Sequence, residues 1–357
     1  MSISEALGVE HQLLPPKKEI YDDGLIISVI LDCFYGLDYI KQAVQSVIDQ
    51  EYNNVELMLI NNGASEEIET YLLEAHSKYK NTSLITFKEN QFSWSDRERP
   101  VYICWNVALN YCIGEAVTHL AYDDMLSKNY AAKMAKLFNE NPNCTTASPL
   151  PVSINSEGER NLDKDFLKGN NRPRYIHGKE VALDFVRGSP KKMFGAPGEI
   201  LAIRKSILLK YSGFDGWIDV SQILKFAING EIGFDPEAHV YWRHHALQSN
   251  RQASDKGHID VRANKRAIKR SDIFNIWKNE FSLEEVELLK IFINNRLKKI
   301  PNTSVGYMVV RKNLFGLFLV FFHIFRECPQ YLGGAILHSI TLTFKIVLNK
   351  FRKVKGL

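Results

Sequence analysis

Cysteine is scarce and unpatterned in this chain. Five thiols, at Cys33, Cys104, Cys112, Cys144 and Cys328, are scattered over 357 residues with no Cys-x-x-Cys pair. An odd, unspaced set argues against a disulfide framework and a structural zinc site, and for a reducing compartment. Net charge is small as well. Lys and Arg total 45 against 41 Asp and Glu, a formal +4, which leaves no electrostatic footprint for nucleic acid. Glycine is missing where a dinucleotide site would need it. Residues 31–37, after the first apolar run, offer only Gly36, which excludes a dinucleotide-dependent oxidoreductase. Long apolar runs are absent, since Leu314–Phe325 falls short of the ~20 residues a membrane span requires. The opening residues are polar and include Pro15-Pro16, unlike a secretory signal, so a cytoplasmic location is expected.

What remains is the composition of a folded globular protein, 45% hydrophobic and 24% charged, long enough for one large domain or two smaller ones. Residues 1–24 read as a loosely ordered leader. Leu25 to Leu31 is a nearly continuous apolar run rich in β-branched residues, which suits a strand buried on both faces of a parallel sheet. Ile40, Val44, Val47 and Ile48 then recur at helical spacing. Val55 to Ile60 is a second strand, ending in Asn61-Asn62-Gly63. A helix is expected at 66–79, a strand at 83–87, a helix at 100–113 and a strand at 116–121. This alternation predicts a right-handed βαβ sheet of α/β class.

The last of these strands delivers His119-Leu120-Ala121-Tyr122-Asp123-Asp124. Adjacent acids repel and raise each other's pKa. A hard divalent cation, Mg²⁺ or Mn²⁺, offsets that cost and completes its shell with substrate phosphates. The competing reading is a solvated loop with an N-capping Asp before a helix near Met125. Ligands of open α/β sheets bind beyond the carboxyl ends of the strands. Asp32, Asn61, Asn62, Asp123 and Asp124 all fall at such ends, which favours the site.

Residues 151–175 read as a polar loop region, and 251–357 as a helical C-terminal region. Within the latter, Leu314 to Phe325 is strongly apolar and Leu332 to Leu348 is a second apolar stretch interrupted by polar groups, followed by Lys350, Arg352, Lys353 and Lys355. Apolar aromatic helices beside a basic tail predict contact with an anionic membrane surface through residues 314–355. A helical hairpin packed on protein is the alternative.

Together these segments resemble the family-two glycosyltransferases of GT-A fold, nucleotide-sugar enzymes of bacterial polysaccharide synthesis. Ser46-Val47-Ile48-Asp49-Gln50-Glu51-Tyr52 is similar to the phrase closing that family's first helix. Asn61-Asn62-Gly63-Ala64 stands where the family has an acidic turn whose Asp contacts uracil. Trp105-Asn106 resembles the helix before the metal strand, with Arg97 and Arg99 upstream where relatives place an Arg near the nucleotide; a surface charge run is the other reading. Asp123 and Asp124 fall at the family's DxD position, with Ala121 in place of its first Asp. Gly195 to Ile200 and Ile203-Arg204-Lys205 resemble the acceptor-side strand before Ser212-Gly213-Phe214-Asp215. Asp219 precedes Gly230 at the family's spacing, with Ile218 where relatives carry Glu. Tyr241-Trp242-Arg243-His244-His245 resembles the ending of the fold.

The resemblance implies a Rossmann-like, mostly parallel central sheet flanked by helices over 25–250, split into a nucleotide half (25–125) and an acceptor half (126–250), with a helical C-terminal extension. It implies Asp219 as catalytic base, or else a plain N-cap. Asp32, Asn61, Asn62, Arg97, Arg99 and Asp123 are the nucleotide-binding set it implies. Asp123, Asp124 and His245 would be metal ligands for Mg²⁺ or Mn²⁺, with His245 a structural histidine in the competing reading. The activity implied is inverting sugar transfer from a nucleotide donor, UDP by preference, to a glycan or polyprenyl-linked acceptor hydroxyl. The place implied is the cytoplasmic face of the inner membrane. Lys191 and Lys192 are candidates for diphosphate or acceptor contact, or a solvated pair. The substitutions at Asn61, Asn62, Ala121 and Ile218 also fit a degenerate, non-catalytic domain kept for binding or assembly.

Overall fold

The computed structural model describes residues 3–94, 96–161, 172–188, 200–246, 248, 261–310 and 312–354. Lys191, Lys192, Gly195 to Glu199 and Lys355 lie outside the described residues, as do the side chains of Lys350, Arg352 and Lys353. The chain divides into two compact units, Met1–His244 with Arg270–Asn279, and His245–Lys269 with Glu280–Leu357.

The first unit is built on a mixed sheet. Its elements in chain order are α1 (Ile3–Leu7), β1 (His11–Leu14), β2 (Ile27–Cys33), α2 (Leu37–Ile48), β3 (Val55–Asn62), α3 (Glu66–Lys78), β4 (Thr82–Phe87), α4 (Arg99–Tyr111), β5 (Ala116–Ala121), β6 (Met125–Leu126), α5 (Tyr130–Glu140), β7 (Cys144–Ile154), β8 (Tyr175–His177), α6 (Gly178–Val186), β9 (Ala202–Arg204), α7 (Lys205–Lys210), α8 (Ile218–Ser221) and β10 (Glu231–Arg243). The strand order is β1-β4-β3-β2-β5-β9-β7-β10-β6, with β8 on β10. The strands β4, β3, β2 and β5 run parallel, as do β7 and β10. The strand β9 joins the two groups antiparallel to both. This is the mostly parallel, helix-flanked sheet expected from the sequence.

The central strands are apolar on both faces because helices cover both. Ile27, Val29, Ile30 and Leu31 are all inaccessible to solvent, the signature of a parallel strand sandwiched between helices. The helix α2 packs Ile40, Ala43, Val44 and Val47, and α5 packs Tyr130, Met134, Leu137 and Phe138, into the same core.

Residues 1–24 differ from the loose leader expected. They contribute α1, which packs on α4, and β1, which pairs antiparallel with β4 from His11↔Phe87 to Leu14↔Leu84. His11-Gln12-Leu13-Leu14 carries no strong period of its own; an open sheet edge supplies its partner. The region 151–175 also opens with the end of β7 rather than with a loop.

The described helices of the second unit include most of α9 (Val261–Ser271), then α11 (Leu283–Val310), α12 (Leu314–Glu327) and α13 (Leu332–Val354); α10 (Ile273–Glu280) belongs mainly to the first. Val305, Met308, Val320, Ile324, Cys328 and Ala335 form its core. Leu314, Phe315, Phe318, Phe322 and Phe325 of α12, and Leu337, Ile340 and Phe344 of α13, are exposed. Among the described residues, no helix is long and apolar enough to cross a membrane.

Candidate active site

The acid pair sits in the turn that leaves β5. Asp124 N–H donates to Ala121 O at 3.0 Å, closing the turn. Both acids are buried, Asp123 to 8% and Asp124 to 4% exposure. Neither caps a helix. Met125 and Leu126 form β6, which pairs with β10 through Val240↔Leu126 and Tyr241↔Met125, and the next helix starts at Tyr130 behind Asn129. The solvated, capped loop is therefore not what forms here.

The β6–β10 register brings Arg243 onto the turn. Its backbone N–H donates to Asp124 Oδ1 at 2.9 Å and its Nε to Asp123 O at 2.7 Å. Nη1 donates to Ser156 O at 2.9 Å, and Nη2 to Gln42 Oε1 at 2.8 Å. The guanidinium carbon lies 4.9 Å from the centre of the Tyr39 ring. Arg243 is fully buried, so one side chain ties the acid turn, α2 and the loop after β7 together. Burial and then the neighbouring Asp123 charge push the Asp124 carboxyl well above the ordinary carboxylate range, against the opposing pull of Arg243.

One strand away, Asp32 ends β2 beside Asn62 at the end of β3. Burial raises the Asp32 carboxyl to about 7, and a long 3.5 Å contact from Asn62 Nδ2 to Oδ2 only partly offsets it. Its Oδ1 is buried without a hydrogen-bond partner. Asn62 Oδ1 accepts from Gln91 N–H at 2.8 Å, and Gln91 Oε1 accepts from Arg99 Nε and Nη2 at 3.3 and 3.2 Å. Asp32, Asn62 and Arg99 thus belong to one chain of contacts through Gln91. Asn61 does something different, since its Oδ1 accepts Ala64 N–H at 2.9 Å and holds the turn after β3. Beside this end of the sheet lies an aromatic group. Tyr122 packs 5.8 Å from Phe34 and 4.7 Å from Tyr35, and Phe34 stacks on Phe92 at 5.9 Å and 14°.

Asp219 lies on the first turn of α8, inside the helix rather than at its cap, which is Trp217. It is exposed. The chain then widens into a π turn over Gln222–Phe226, a local geometry often found at functional sites. Asp215 anchors this segment by accepting from Trp217 N–H and Ser221 Oγ at 2.9 Å and pairing with buried Lys225 at 3.0 Å. Trp277 Nε1 donates to Leu224 O at 2.8 Å. Asn106 of α4 locks the preceding turn. Its Oδ1 accepts Phe214 N–H at 2.7 Å and its Nδ2 donates to Phe214 O at 2.9 Å. Gly213 is needed there: φ is +92°, and a Cβ would lie 2.2 Å from Asn106 Oδ1.

Arg97 is half-buried, and burial lowers its guanidinium pKa against the raising effect of Glu98. His245 is buried and belongs to the second unit. Among the described residues, no three His, Cys, Asp or Glu side chains converge as a ready metal cluster.

Residues 28–207 match the profile of glycosyl transferase family 2. The chain belongs to that family. It is 27% identical over 143 residues to the minor teichoic acid biosynthesis protein GgaB of Bacillus subtilis, covering 39% of this chain and 15% of that protein. It is also 27% identical over 119 residues to an uncharacterized glycosyltransferase of Rickettsia typhi, 32% of each. The chain thus matches a third or less of the length of these relatives. Its fold is shared with residues 1–349 of S. aureus TarS, solved in complex with UDP-GlcNAc, at a TM-score of 0.56 and 14% identity over 91% of this chain and 92% of that one. The TarS complex with UDP gives a TM-score of 0.53 at the same coverage.

The donor set fits the hard cation that the family resemblance implies. Two adjacent buried carboxyls, with the proton affinity of Asp124 raised by burial and by the charge of Asp123, are what a divalent ion with phosphate oxygens relieves. Three residues to which sequence reasoning assigned no role organise the site: Arg243, Gln91 and Asn106. Arg243 stands within the Tyr241-to-His245 motif, but its role depends on which strand β6 joins.

Proposed function

We propose that this chain is an inverting glycosyltransferase that moves a sugar from a UDP-linked donor to a hydroxyl of a glycan or polyprenyl-linked acceptor in cell-surface polymer synthesis. The observation that carries it is the grouping of Asp32 with Asn62, and of Asp123 with Asp124, at the carboxyl ends of neighbouring parallel strands. The UDP and UDP-GlcNAc complexes of TarS and the teichoic acid role in the name of GgaB support the donor and the polymer class.

In this reading Phe34 and Tyr35 offer an apolar face to the base, while Asp32, Asn62 and the Gln91–Arg99 pair hold its polar edge and the phosphates. Asp123 and Asp124 would hold Mg²⁺ or Mn²⁺. When bound, that ion offsets charge building on the leaving diphosphate. Asp219 takes the proton of the acceptor hydroxyl as its oxygen bonds to the anomeric carbon and the bond to the diphosphate oxygen breaks. Direct displacement from the opposite side inverts the centre. The exposed apolar rows of α12, rich in Phe, and of α13 support contact with a lipid surface where a polyprenyl-linked acceptor would reside, in this reading the cytoplasmic face of the inner membrane.

Asn61, Asn62, Ala121 and Ile218, standing where relatives carry acids, favour one alternative, a binding domain without turnover. Release of UDP from a panel of UDP-sugars with Mn²⁺ or Mg²⁺ separates the two. Turnover by the wild type that falls ~10²-fold or more in Asp219→Asn is expected. UDP binding with no turnover in the wild type supports the alternative.

A further inference from the structure

The basic face of α9 takes no part in the chemistry proposed for this chain. Between 262 and 270 the sequence places Arg262, Lys265, Arg266, Lys269 and Arg270, and the helix holds no acidic residue. Its residues sort by face. Ala267, Ile268 and Ser271 are buried, while Lys265, Arg266 and Lys269 are exposed. Lys269 stands four residues after Lys265 and three after Arg266, so it neighbours both, with Cβ atoms about 5–6 Å apart. The acid that follows the helix is occupied, since Asp272 Oδ1 accepts from Asn275 Nδ2 at 2.7 Å. The last turn is tied down. Arg270 donates from Nε to Asp215 O at 3.1 Å, pairs through Nη1 with Asp96 Oδ2 at 3.5 Å and lies 3.9 Å from the centre of the Tyr102 ring. Tyr102 donates its hydroxyl to the same Asp96 oxygen at 2.9 Å. The exposed cations therefore ride on a helix anchored at its C-terminal end.

We propose that this face docks a phosphodiester-linked polymer, and that the polymer is the acceptor chain of the reaction. Only the second clause rests on the transferase reading. Like charges three and four residues apart destabilise a helix, and an anion seated among Lys265, Arg266 and Lys269 turns that repulsion into charge-assisted contacts. The spacing selects the partner. Cations about 5–6 Å apart call for an anion in every short repeat. A phosphodiester-linked chain of short polyols supplies that density, and a glycan with carboxylates on alternate sugars does not. A lipid surface fits less well. An interfacial helix buries its apolar face among the headgroups, whereas Ala267 and Ile268 are already buried within the protein. Docking of one stretch of the polymer raises the effective concentration of its reacting end, so the contribution falls on KM for a polymeric acceptor.

Anisotropy of fluorescently labelled poly(glycerol phosphate) titrated with the full chain tests the face without any turnover. Affinity should fall roughly tenfold or more between about 50 and about 200 mM salt, the loss set by about three neutralised phosphates. The triple variant Lys265→Gln, Arg266→Gln, Lys269→Gln keeps a good helix former at each exposed position. It should bind about tenfold more weakly or worse, with a flattened salt slope. The double variant Lys265→Arg, Lys269→Arg keeps every charge and should bind as the wild type does. Wild-type binding that is absent, indifferent to salt, or undiminished in the triple variant overturns the proposal. Equal affinity for hyaluronan, whose carboxylates stand on alternate sugars, overturns it too. A loss in the triple variant confined to phosphatidylglycerol vesicles assigns the face to lipid instead. With the UDP-sugar that the panel turns over fastest, KM for the polymer should rise in the triple variant as binding weakens. Polymer binding by a wild type that releases no UDP from any UDP-sugar sinks the transferase reading alone. Turnover without polymer binding sinks only the docking face.

Discussion

Replacing Arg243 is the most demanding perturbation of this architecture. The side chain has no solvent exposure and makes three short hydrogen bonds, to Asp123 O at 2.7 Å, Gln42 Oε1 at 2.8 Å and Ser156 O at 2.9 Å. Arg243→Ala leaves the buried Asp123 O without its donor, at about 1–3 kcal/mol, while the more accessible Gln42 Oε1 and Ser156 O can turn to water. It also leaves the Asp123–Asp124 turn without its nearest positive charge. These penalties overlap, so their sum is an upper bound, and about 4 kcal/mol is the expected net loss, typical of breaking a buried charge interaction. The backbone N–H to Asp124 survives the change, so turn geometry alone does not account for the loss. For a unit of this size, about 4 kcal/mol lowers the melting temperature by roughly 8–16 °C. Arg243→Lys keeps the charge and most of the stem but not the fork, and should lose about half as much. Urea unfolding followed by tryptophan fluorescence gives both values at fixed pH. A loss below about 1 kcal/mol for Arg243→Ala would refute the claim that this guanidinium holds the acid turn, because an orphaned buried carbonyl beside two buried carboxyls is not so cheap to leave.

Gly213→Ala should destabilise the first unit by about 2 kcal/mol or more, combining a left-handed backbone with a Cβ 2.2 Å from Asn106 Oδ1; an unchanged thermal midpoint would contradict it. His119, stacked 4.4 Å from the Trp105 ring and held neutral down to about 3 by burial, accepts a proton in the unfolded chain before the native one. Stability should therefore drop as pH falls from about 6.5 toward 3, by up to ~1.4 kcal/mol per pH unit, and His119→Phe should remove that slope from the difference between the two proteins. Asp32 has the opposite sign. Its carboxyl, raised to about 7, binds a proton more tightly when folded, so its contribution is lost as pH rises from about 4 through 7, and Asp32→Asn should gain on wild type across that window in denaturant titrations. Phe318→Glu with Phe322→Glu, both on the exposed face of α12, should weaken co-sedimentation with anionic vesicles; undiminished binding would rule out that face as the membrane contact.

Much of the first half was legible because it rests on local patterns. Apolar β-branched runs fall into β2 and β3, and 3.6-residue spacing falls into α2, with bounds within about two residues. The polar residues closing those strands were readable too, since parallel strands with helical crossovers must deliver their carboxyl ends to one rim of the sheet. His11 to Leu14 was not readable as a strand, because pairing with β4 is a property of the available edge and not of those four residues. Nor was the role of Asn61, whose amide serves the turn while its neighbour Asn62 faces Asp32.

The chain by itself determined which residues carry acid and where strands end, since hydrophobic period and residue type are local quantities. Tertiary structure decided which of those acids meet a partner. Arg243 reaches Asp123 across 120 residues of sequence, and Asn106 reaches Phe214 across 108. Charge and proton affinity depend on burial and on neighbours a few ångströms away. Only the folded sheet brings those neighbours together.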